Sequence, residues 1–253
     1  MNITTPQDWQ ELNNWQQREI AYLYLNSTEY NFEKNILQIL KVTIQKNDTF
    51  LSKIKAYSVF SQVAPDVLMQ HHKFLLTTPS LNIFPKVKKL IAPGPRLNNI
   101  SIKQFSVTDA IFFKWKQTNE EVYLYQLAAS LYSLKTGYDS LKLPEVAKIT
   151  DKLPLKTIYQ IALVYLSVRT LITSKYPIVF PKPKEDEEEQ LKPVFKKKSY
   201  TPFSKIITTM AMDERQPLGV LSECNKTNVY DFFNVLEESI IRHEEQEKAL
   251  KKS

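Results

Sequence analysis

Glycine is nearly absent from this chain. Gly94, Gly137 and Gly219 are the three glycines in 253 residues, whereas loops that cradle phosphates bring several together so that backbone amides can approach the anion. Glycine-rich nucleotide loops are therefore excluded. The same scarcity argues against sheet-rich architectures, whose tight hairpins and bulges use residues that tolerate positive φ. Cysteine is scarcer still: Cys224 stands alone, which excludes an internal disulfide and any multi-cysteine metal site. No run approaches the roughly 18 consecutive apolar residues of a membrane span. Met1 to Pro6 lacks a basic leader before an apolar stretch, so the expectation is a cytoplasmic protein with no membrane partner.

Candidate catalytic groups are equally sparse. Of three histidines, His71 and His72 are adjacent, about 100° apart on a helix, and cannot chelate one ion as an i, i+4 pair does. His243 stands beside Glu244, Glu245 and Glu247, a pattern read as a solvated helix end rather than a metal cluster. The acidic run Glu185 to Glu189 lacks the ordered backbone ligands that hold a hard cation. Nucleophilic catalysis needs a base beside an activated Ser or Cys, and Cys224, close behind Val220 and Leu221, reads as packed. The expectation is a protein that is not an enzyme, with no catalytic residue, cofactor or metal.

What is present is enough to fold. Hydrophobic residues make up 43% and charged residues 24%, near the globular average. The net charge of +7 raises nucleic acid as a partner, but the basic residues are spread out, with short groups only at Lys86, Lys88, Lys89 and Lys196 to Lys198. A nucleic-acid-binding module using this dispersed basic surface is thus the alternative reading.

Helical periodicity dominates. Thr5 is a candidate N-cap, with Pro6 at the first helical position, for a helix running to about Asn26. Further helices are predicted from Asn31, from Thr49 to Val63, and from Pro65. Pro79, Pro85, Pro93 and Pro95 make 78–99 a connector of minor extended segments, with room for a small β-pair. Ser101 and Gln104 resemble a capping box, and Asn119 is a second candidate start. Pro144 opens a short helix. Pro154 opens the most apolar stretch, to Ile172, which should sit centrally because it is apolar nearly all round.

Opposed charge blocks and prolines mark 181–199 as a linker. The fold class is therefore all-α: a multi-helix bundle over 1–180 and a small helical domain over 200–253. In the latter, Thr227 is the expected cap of a long closing helix. Its apolar stripe includes Val229, Tyr230, Phe232, Phe233, Leu236 and Ile240, the candidate partner-binding residues. The stripe buries either against Thr201 to Cys224 of the same chain or in a partner's groove.

Three stretches carry a likeness. Ile102 to Ala110 precedes a helix ending Leu127-Ala128-Ala129-Ser130-Leu131-Tyr132; Leu153-Pro154-Leu155-Lys156 leads to Lys175-Tyr176-Pro177-Ile178-Val179-Phe180; and Thr227-Asn228-Val229-Tyr230-Asp231-Phe232-Phe233 opens the closing helix. Together they resemble the small helical morphogenesis proteins of tailed bacteriophages and prophages, the last being similar to the carboxy-terminal helix of tail-assembly chaperones. The resemblance implies a non-catalytic factor in particle (tail) assembly, either a chaperone or a virion structural component. Its partners would be other phage structural or tail proteins, in the host cytoplasm or the virion.

Overall fold

The computed structural model describes residues 5–28, 30–181 and 202–251. Among them are eleven α-helices, three short 3-10 turns and no strand, so the chain is all-α. In order the helices are α1 (Asn14–Leu25), α2 (Phe32–Ile44), α3 (Phe50–Gln62), α4 (Pro65–His71), α5 (Ile102–Thr118), α6 (Glu121–Leu131), α7 (Leu143–Thr150), α8 (Leu155–Lys175), α9 (Phe203–Met212), α10 (Leu221–Lys226) and α11 (Val229–Leu250). The expected linker lies, apart from Pro181, outside the described residues.

Local chemistry sets most helix starts. Thr49 accepts a hydrogen bond from the Ser52 amide to open α3, Ser101 accepts from the Gln104 amide to open α5, and Pro65 and Pro144 sit in the first turns of α4 and α7, where a missing N–H costs nothing. Three starts differ from expectation. The first helix begins at Asn14 rather than after Thr5: Asn13 accepts from the Trp15 and Gln16 amides while Gln16 accepts from the Asn13 amide, a complete capping box. Asp8 instead folds a turn by accepting from the Gln10 and Glu11 amides. Asn119 ends α5 in the left-handed conformation, φ 57°, which asparagine tolerates better than most residues. Asn228, not Thr227, caps α11 by accepting from the Tyr230 amide.

The connector forms no β-pair. Ile91 and Ser133 exchange two backbone hydrogen bonds in a single antiparallel bridge, while Leu81, Phe84 and Val87 point into the core. The Tyr132 hydroxyl donates to the Pro85 carbonyl, tying the connector to the end of α6.

Close contacts group the chain into two units, Met1–Arg96 with Glu120–Arg169, and Leu97–Asn119 with Thr170–Ser253. The expected division followed chain order; the observed grouping puts α5 with the carboxy-terminal helices. Backbone bonds explain why. Ile102 N–H donates to the Thr227 carbonyl at 2.9 Å and Val229 N–H to the Ile100 carbonyl at 3.1 Å, and the Asn228 amide donates to the Asn98 carbonyl at 2.7 Å, so the starts of α5 and α11 lie side by side.

In the first unit α8 crosses α1. Lys156 meets Glu19 at 2.6 Å, Tyr159 donates to Asn26, and Gln160 donates to Asn14 and Gln17, each at 2.9 Å. The buried Gln16 amide donates to the Thr43 and Gln45 carbonyls, supplying partners that the last turn of α2 cannot find within itself. By length and composition α8 could cross a bilayer, and 61% of its apolar window is buried inside the protein, which accounts for its apolarity as a core helix.

Candidate interaction surface

The closing helix buries its stripe at home. Val229, Phe232 and Phe233 are fully buried and Leu236 nearly so. Phe233 is the hub of an aromatic cluster, with Phe105, Tyr176, Phe180, Phe203 and Phe232 at centroid separations of 5.3–5.9 Å, the edge-to-face and tilted arrangements that ring quadrupoles favour. Tyr230 and Ile240 are half-buried. Of the six candidate residues, four therefore have no surface to offer a partner.

Two open hollows carry titratable groups of both signs. A cleft of about 720 Å³ between the 213–217 turn and α11 is lined by Asp213, Glu214, Arg215, Glu238, Arg242 and His243. Three acids face three basic side chains there, so the cleft has no field of one sign. A second hollow of about 420 Å³ beside Arg18, Tyr22 and Pro154 contains the Lys156–Glu19 pair, which neutralises itself.

The histidines occupy unlike surroundings. His72 is buried and His71 exposed, as adjacent positions on a short helix dictate. His72 Nδ1 lies 2.8 Å from the Leu68 carbonyl, so Nδ1 carries the proton and Nε2 is left buried without a hydrogen-bond partner among the described residues. Burial pushes its pKa down, outweighing the raising effect of the Leu68 bond. Cys224 is buried too, and burial pushes its thiol pKa up, away from the reactive thiolate. Among the described residues no group of three or more His, Cys, Asp or Glu side chains is placed to hold a metal ion.

Four of the exposed large apolar side chains stand together on α3. Phe50 is 76% exposed, Leu51 70%, Ile54 47% and Tyr57 61%. At 3.6 residues per turn these four span an arc of about 120°, and about 40° beyond its edges stand Lys53 on one side and Lys55 on the other. The opposite side holds the buried Ala56 with the half-buried Ser52, Val59 and Phe60. Thus α3 is apolar on two faces, and its own unit covers one of them. On neighbouring α2, Lys41 places its ammonium 3.4 Å from the Tyr57 ring centroid, and Leu37, one turn earlier on the same side of α2, is also exposed. Lys53 pairs with Asp48 at 2.7 Å and its hydrogen bond holds that carboxyl below the usual range.

Sequence reasoning found α3 but did not say which of its apolar side chains the chain covers. Periodicity locates apolar stripes without saying which one the chain covers. The signal for a free face was the presence of two stripes on one short helix. The chain matches no protein-family model, no curated protein and no solved structure.

Proposed function

We propose that this chain is a non-catalytic protein-binding factor that works in phage or prophage particle assembly, as a chaperone or a structural component. The observation that carries the binding role is the second apolar face of α3, with four large side chains in solvent. A soluble domain seldom leaves such a group of neighbouring side chains uncovered without a use for it. The phage setting is supported by the likeness of the three stretches in α5 to α6, α8 and the start of α11. In the chaperone form, the α3 face would shield an apolar segment of a tail protein until that segment reached its place in the particle.

Co-expression with tail-tube and tape-measure proteins from the same genome tests the reading. The expected result is that at least one of them stays soluble and co-purifies with the wild-type chain, and that Leu51→Asp/Ile54→Asp abolishes this. A chain that purifies alone beside every such protein would contradict the assembly role.

A further inference from the structure

We infer that the free face of α3 receives an amphipathic helix with acidic flanks, contributed by a protein partner. The inference rests on the reading of this face as a protein-docking surface and specifies the chemistry of what docks. Phe50, Ile54 and Tyr57 recur at steps of four and three, the spacing of a seam that interlocks with a second helix; a lipid surface imposes no such register.

Charge selects among helices. Positions 41–57 carry Lys41, Lys46, Lys53 and Lys55 against one acid, Asp48, which pairs with Lys53. Lys53 and Lys55 border the apolar arc, where flanking charges set partner choice in paired helices. A partner with Glu or Asp beside its own seam gains chiefly at the Lys55 border, because Lys53 already pairs with Asp48; a basic one is repelled there. Lys41 over the Tyr57 ring and the Lys53–Asp48 pair hold parts of this surface in place before anything binds, which lowers the ordering cost of association.

The test is a selection on the full-length chain from a displayed library of helical peptides with a fixed apolar seam and randomised flanks. Peptides that also bind Leu51→Asp/Ile54→Asp are removed. The expected result is several-fold enrichment of Glu and Asp at the flanks, with binding that weakens as salt rises. Lys55→Glu, which leaves the seam and the Lys53–Asp48 pair intact, is expected to select Lys and Arg at that flank instead, and this arm stands even if the aspartate variant does not fold. Flanks without charge preference, or the same flanks on wild type and charge reversal, would overturn the inference. Two further results would also overturn it: sedimentation of the wild type, but not the aspartate variant, with phosphatidylglycerol vesicles, and a wild-type dimer by light scattering that the aspartate variant loses. Acidic selection combined with failure to bind any tail protein would leave this inference in place and remove the assembly role; the reverse combination would do the opposite.

Discussion

His72 is a buried imidazole whose neutral form fits its site and whose charged form does not, because a proton on Nε2 would find no acceptor among the described residues. Its pKa is lowered from the ordinary 6.5. As pH falls below that value the unfolded chain takes up the proton first, so stability decreases with falling pH until the folded form protonates as well. We expect the urea midpoint of the wild type to drop more between pH 7.5 and 5 than that of His72→Phe; equal drops would contradict this. Tyr132 poses a question of hydrogen bonding rather than charge. Removing its hydroxyl in Tyr132→Phe strands the Pro85 carbonyl and should cost about 1–2 kcal/mol in chemical denaturation. Gly219 meets a backbone constraint: at φ 75° an added Cβ would be strained and would also collide with the Glu223 carboxylate, which there accepts from the Val220 amide. Gly219→Ala should cost about 1 kcal/mol or more, visible as a lower melting temperature.

Between elements, the aromatic hub on α11 concentrates the most packing on one side chain. Phe233→Ala leaves a cavity facing five other rings and should destabilise by about 3–5 kcal/mol, against a change near zero for the exposed Glu244→Ala. A loss for Phe233→Ala as small as that of the surface control would show that the cluster does not hold this unit together. The starts of α3, α4, α5, α7 and α8 were legible in the sequence because Thr49, Pro65, Ser101, Pro144 and Pro154 act within a turn of where they stand. Asn119 was misplaced because a residue that favours a helix start also favours a left-handed helix end. Thr5 was outcompeted by Asn13, which has Gln16 three residues on to close the capping box. Long-range ties left no local trace. Gln16 reaching the end of α2, and the 98–102 segment bonded to 227–229, depend on elements that meet only in the folded chain, so the company α5 keeps could not be read from order along the chain.

At the scale of the molecule, the apolar stripe on α11 and the outer apolar face of α3 end in opposite environments. The difference lies in the neighbours: α11 meets rings from α5, from α9 and from Tyr176 and Phe180 just beyond α8, whereas the outer face of α3 meets solvent and lysines. Of the candidate surface, the sequence made the apolar stripe on α11 legible but not its burial by the same chain, and it did not single out the exposed side chains on α3. A surface substitution on α3 should accordingly separate binding from folding: Leu51→Asp/Ile54→Asp is expected to keep the unfolding free energy in urea within about 1 kcal/mol of the wild type while losing its partner. The most direct measurement of the central claim installs a photoreactive side chain in place of Ile54 in the full-length chain, with the exposed Glu33 position as control, in cells making phage particles. Crosslinks to a phage structural protein are expected from position 54 and not from position 33. No crosslink from position 54, or the same products from both positions, would contradict it.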